Sequence, residues 1–254
     1  MFLFCALHKR YLNIPLLFIM LYLCVMPCEG QQSEKNIIDT TSTWINQRRS
    51  QKGIEALIID QKLNSIAETH SNKMAELAVL SDSSKELGTP FERIKSAGLT
   101  DVNNLVVVAR EKNIDLLQDQ LQSPENLLKI LSPDMTHIGI GVKKDSGGEF
   151  WLTIHMSERA ISFNEFILSQ SYTEDARRSI TIKGNSPYKK IKLILASARG
   201  LDPKVDAERV ITPQSNGDLE ITLNFGEATG NFNFEFYVEK DSAYRLTNFF
   251  NMNI

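Results

Sequence analysis

Cysteine is missing from almost the whole of this sequence: Cys5, Cys24 and Cys28 stand near the start and none follows. A body without thiols forms no disulfide, so packing alone must hold it, and the small disulfide-stapled secreted domain is excluded. Blocks of like charge are also missing. The formal net charge is only −3, with no basic run to neutralise phosphates, which argues against a nucleic-acid partner. Long apolar runs are scarce: Tyr11 to Val25 falls short of the ~20 residues that a membrane-spanning helix needs. Lys9 and Arg10 precede this run, and Pro27 and Gly30 follow it, the order of a signal peptide over residues 1–30. Export to the periplasm or the outside is therefore expected, with no membrane span after cleavage. An export signal on a cysteine-free body suits a bacterial envelope protein.

At 254 residues, with 42% hydrophobic and 23% charged residues, the chain has room for two packed domains. Their textures differ. From Ile37 the apolar positions Ile38, Trp44 and Ile45 recur at helical spacing, and Gly53 supplies a stop. Asp60 can cap a second helix whose inward face carries Leu63, Ile66, Ala67, His70 and Met74. Thr89-Pro90-Phe91-Glu92 has the form of a capping box with proline in the first turn, and Gly98 closes that helix. A strand over Leu105–Ala109, helices from Ile114 and from Ser123-Pro124, and a hairpin joining Ile138–Val142 to Phe150–Ile154 complete an α+β arrangement. Beyond Arg159 come seven short β-branched and aromatic runs divided by turn residues, the pattern of an all-β sandwich over residues 160–254. Phe232, Phe234 and Phe236 alternate onto one face, most simply its core.

Several segments, taken in order, resemble one family. They are Ile45-Asn46-Gln47-Arg48-Arg49 with Gly53, the helix from Leu63 to Met74 and Phe91-Glu92-Arg93-Ile94 with Ala97-Gly98. Ser123-Pro124, Ile130 to Asp134 and Ile138-Gly139-Ile140-Gly141-Val142 follow at matching spacing. The set is similar to the bacterial SCP-like branch of the CAP superfamily, the cysteine-rich secretory, antigen 5 and pathogenesis-related 1 proteins. The resemblance covers residues 35–158 and implies an α-β-α sandwich outside the cytoplasm. It also implies a cleft of histidines and acidic residues, able to hold a divalent metal or exchange protons.

At each position matching that cleft the sequence departs from the family. Leu80-Ser81-Asp82-Ser83 stands where the first histidine belongs, Val102-Asn103-Asn104-Leu105 where the glutamate belongs, and Asn126 where the last histidine belongs. Gln120 replaces the usual tryptophan. Asparagine neither titrates nor matches imidazole as a metal ligand. A remnant cleft of His70, Asp82, Asn103 and Asn126 is expected, with no catalytic residue, metal or cofactor, in a binding or structural module of the envelope or the outside whose partner is a protein or glycan.

Two rival functions stay open: a hydrolase that recruits His70, Asp82 or His155, and a carrier of a small apolar ligand. A histidine within hydrogen-bond reach of a carboxylate in one pocket would favour the hydrolase. Buried structural roles are the simpler reading of His70 and His155, and a solvated strand start that of His137. Gly139-Ile140-Gly141 lacks the third glycine of a dinucleotide loop and leads into a hairpin, so close strand packing explains it better.

Overall fold

The computed structural model describes residues 29–170, 178–197 and 208–254. The expected signal peptide lies outside them except for Glu29 and Gly30, which open the first helix.

Helix α1 (Glu29–Gln51) ends where Gly53 takes a left-handed backbone, φ 69°. After the short strand β1 (Ile58–Ile59), Asp60 caps α2 (Gln61–Leu77) by accepting from Leu63 N at 3.0 Å. The capping box at Thr89 forms: its hydroxyl accepts from Glu92 N, and Glu92 in turn accepts from Thr89 N, starting α3 (Pro90–Ser96). There follow β2 (Asn104–Glu111), α4 (Ile114–Leu121), α5 (Pro124–Ile130), β3 (His137–Lys144) and β4 (Phe150–Ser157). Each short helix starts on its own capping side chain, Asn113 or Ser123.

These elements make a sheet of order β1-β3-β4-β2, antiparallel except for the β1–β3 pair. β4 lies inside the sheet and all eight of its residues are buried, because both faces are covered. Leu152, Ile154 and Met156 point to one side, into a core with Trp44 and Ile45 of α1, Leu117 and Leu121 of α4, and Ile130 of α5. Trp151, Thr153 and His155 point to the other side, which carries α2. The result is the α-β-α layering expected from the sequence.

Two buried constraints set these layers. Arg49, 1% exposed, donates to the carbonyls of Glu55, Ile130, Ser132 and Met135 at 2.7–3.0 Å, tying α1 to two distant loops. On the opposite face α2 lies directly on β3. A Cβ at Gly139 would stand 2.0 Å from the Leu63 carbonyl carbon, and one at Gly141 2.1 Å from Glu68 N. Only glycine permits that approach.

The remaining strands are β5 (Ser162–Gln170), β6 (Arg178–Asn185), β7 (Ile191–Ser197), β8 (Glu208–Ile211), β9 (Asp218–Gly226), β10 (Asn231–Lys240) and β11 (Ala243–Asn253). They form sheets β5-β6-β9 and β11-β10-β7-β8, which close on one core containing Ile180, Ile182, Leu193, Ile221, Phe234 and Phe236. Phe232, Phe234 and Phe236 are buried there, as their alternation requires.

The two parts meet at a polar seam. Arg159 reaches Asp60 Oδ2 at 2.6 Å and Asp101 Oδ2 at 3.1 Å, and Asp101 Oδ2 also accepts from Ser157 Oγ. Val102 N bonds Thr247 O and Phe249 N bonds Thr100 O, so residues 100–102 pair with β11. Burial raises the Asp101 pKa even against its bonds from Arg159; at Asp60 the bonds from Arg159 and from backbone outweigh burial and the pKa falls.

Replacing Gly141 by alanine should destabilise the protein by at least about 3 kcal/mol, since the added methyl meets α2 backbone that cannot rotate away. Urea unfolding of the two proteins measures this, and an unchanged midpoint would refute the close approach.

Candidate binding groove

α2 presents Lys62, Ser65, Ile66, Thr69, His70 and Lys73 along one side, at the three- and four-residue spacing of a single helical face. Facing them are Lys85, Leu87 and Gly88, then Glu92, Arg93 and Ala97 of α3 and its C-terminal end. The groove between the two walls has a volume of about 510 Å³. His70 forms part of its inner wall and is completely buried.

A single hydrogen bond, at Nδ1, holds the His70 ring. Its Nδ1 lies 3.0 Å from Thr153 Oγ1, Thr153 Oγ1 lies 2.9 Å from Ser71 Oγ, and Ser71 Oγ lies 3.0 Å from Gly141 O. Ser71 Oγ donates to both Thr153 Oγ1 and Gly141 O, and Thr153 Oγ1 is the one partner of His70 Nδ1. His70 Nε2 has no protein partner. Burial, followed by the Arg93 charge, lowers its pKa to about 4 against the smaller opposing pull of Asp82.

Arg93 is held without a carboxylate. Nη1 donates to Leu87 O and Gly88 O, Nη2 donates to Asp82 O, and Nε has no partner. Burial lowers its pKa to about 10, still far above neutrality, so the guanidinium keeps a charge beside the groove. His155 lies behind it, fully buried with neither ring nitrogen hydrogen-bonded. Burial first, then Arg93 and His70, push its pKa down to about 3.

The four residues of the expected remnant cleft do not converge on one cavity. His70 lines the groove, and Asp82 adjoins it through the Arg93 bond to its backbone. The Asp82 carboxylate accepts from Ser83 Oγ and stands 4.0 Å from Lys129 Nζ. Asn103 lines a different cavity with Asp134 and Glu158, and its Nδ2 donates to Glu158 Oε2 at 2.7 Å. Asn126 Nδ2 is tied to Gln120 O at 2.9 Å. His155 is a sheet residue against the helix layer, as its alternation with Trp151 and Thr153 implies. His137 differs from the solvated reading: it is half-buried, bonded to Thr136 Oγ1, and burial lowers its pKa. Sequence reasoning did not find Arg93, Lys73 and Lys85 as site residues. The lysines share a helix face or a facing loop, but only the fold brings Arg93 beside them. Among the described residues no group of three or more His, Cys, Asp or Glu is placed to hold a metal ion, and no helix is long and apolar enough to cross a membrane.

A three-layer sandwich with a groove along one helix layer defines the class of helix–sheet–helix modules. Residues 43–156 match the CAP model of the cysteine-rich secretory protein family, and this part of the chain is similar to that family. The uncharacterized protein YkwD of Bacillus subtilis is 26% identical over 127 residues, 49% of this chain and 47% of that protein. The chain thus spans about half the length of this relative. Among solved structures, an extracellular SCP-domain protein of Bacillus anthracis is 22% identical, covers 53% of this chain and 44% of its own, and gives a TM-score of 0.47. An outer surface protein of Borrelia burgdorferi is 18% identical, covers 49% and 93% respectively, and gives 0.46.

The two buried histidines make a signed prediction. Their folded pKa values lie below the ordinary ~6.5, so the unfolded chain binds their protons first and stability is lost as pH falls from about 6.5 through about 4. The slope near pH 5 should be about 1.4 kcal/mol per pH unit for each histidine, and His70→Gln should remove one such share. Urea midpoints from pH 7 to 4.5 test it; a flat profile for the wild type would contradict the buried, neutral state.

Proposed function

We propose that this chain is an exported protein whose CAP domain binds a protein or glycan partner and catalyses no reaction. In this reading residues 35–158 form the binding domain, and residues 160–254 form a β-sandwich domain that presents it. The observation that carries the proposal is how the cleft-position side chains are used. Asn126 is bound to Gln120 O, Asn103 to Glu158, and Asn104 Nδ2 to Asp101 O and Val102 O, so each is engaged in holding the fold. Amides engaged in this way supply no proton and little affinity for a metal.

The hydrolase alternative needs an imidazole paired with a carboxylate. His70 gives its Nδ1 to Thr153, and among the described residues no carboxylate hydrogen-bonds His70 or His155. The apolar-carrier alternative needs a greasy cavity. Lysines and an arginine line this groove beside Ile66, Leu87 and Ala97. Export rests on the basic and apolar start of the chain.

Zinc titration by calorimetry tests the proposal, with His70→Ala and Asp82→Ala proteins beside the wild type. The expected result is no saturable zinc binding in any of the three. Tight binding by the wild type that either substitution abolishes would overturn the non-catalytic reading.

A further inference from the structure

The groove carries more positive than negative charge in its lining. Lys62, Lys73, Lys85 and Arg93 line it, against the carboxylates Glu86 and Glu92. Glu92 Oε2 accepts from Thr89 N and Oγ1 and Glu86 Oε2 from Ser84 Oγ, neutral donors that leave both charges in place, so the four cations exceed the two anions of the lining by two. Among the described residues none of the three lysines forms an ion pair or a side-chain hydrogen bond. Arg93 rests on carbonyls alone, which hold the guanidinium without cancelling its charge. This concentration stands out on a chain whose formal net charge is −3.

The spacing and the lining narrow the ligand. Lys62 and Lys73 are about 16 Å apart along the α2 axis at 1.5 Å per residue, the length of about five residues of extended peptide. Between them the floor is Ile66, with Leu87 and Ala97 opposite. Ser65 Oγ and Thr69 Oγ1 spend their hydrogens on Gln61 O and Ser65 O, so what they offer the groove is oxygen lone pairs. An extended peptide meets these needs together. Its N–H groups can donate to those hydroxyl oxygens, alternate acidic side chains can reach the cations, and the other side chains can lie on the apolar floor. Phosphate has the charge but neither the length nor the apolar contact.

We propose that the groove between α2 and α3 binds an extended acidic peptide through Lys62, Lys73, Lys85 and Arg93. This inference rests on the reading of the CAP domain as a binding module and names its ligand class.

Calorimetry on the full chain with hexaglutamate, hexaglutamine, trigalacturonate and inorganic phosphate tests it. Hexaglutamate should bind and hexaglutamine should not, and affinity should fall at least about tenfold between about 0.02 and 0.3 M salt as the charges are screened. The double substitution Lys73→Gln with Lys85→Gln changes exposed side chains and should leave the thermal midpoint unchanged while weakening hexaglutamate at least about tenfold. Lys95→Gln, outside the groove, should have no effect. Absence of hexaglutamate binding, equal binding of hexaglutamine, or indifference to the double substitution would overturn the proposal. So would trigalacturonate or phosphate binding more tightly than the peptide, although the binding-module reading would survive that result. Zinc-dependent turnover would instead sink that reading and leave acidic-peptide binding standing.

Discussion

The contact of α2 with β3 is the constraint on which the rest of the site depends. Gly139 and Gly141 let helix backbone sit where any side chain would collide, and this brings Ser71 within reach of Gly141 O. Ser71 also donates to Thr153 Oγ1, which lies 3.0 Å from His70 Nδ1. A helix standing one methyl further out would break these contacts. The same approach sets the inner wall of the groove, because α2 supplies one whole side of it.

Three arginines show how the protein handles buried cations in different ways. Arg49 is saturated by four carbonyls and acts as an internal tie, so replacing it would leave several acceptors without donors. Arg159 is neutralised by Asp60 and Asp101 at the seam between the helical part and the β-sandwich. Arg93 is anchored by carbonyls but has no carboxylate, and it faces a groove already lined with lysine. Burial first, and then the Arg93 charge, lower the pKa of both neighbouring histidines, which keeps them neutral near pH 7.

Most of the architecture was legible because its signals are local. Asp60, Thr89 with Glu92, and Ser123 with Pro124 announce helix starts through bonds that span only a few residues, and strand alternation placed Trp151, Thr153 and His155 together. The site was less legible because it depends on tertiary contacts. Asn103 and Asn126 were expected in one cleft from resemblance alone, and a side-chain hydrogen bond ties each to a different partner, Glu158 and Gln120. Arg93 looked like one residue of a family motif. That carbonyls and no carboxylate accept its hydrogen bonds follows only from where the Asp82, Leu87 and Gly88 backbone folds. His137 escaped for a related reason, since the half-burial that perturbs it comes from packing at the seam.

The most direct test of the central claim, that His70 is a fixed neutral structural group and no acid–base catalyst, is its protonation state. Long-range ¹H–¹⁵N NMR of the histidine side chains, followed from pH 8 downward, reads both tautomer and charge. The expected spectrum shows a neutral His70, unchanged until the pH approaches about 4. A His70 that titrates near the ordinary ~6.5 would contradict the buried, neutral state and make the groove a candidate catalytic centre again.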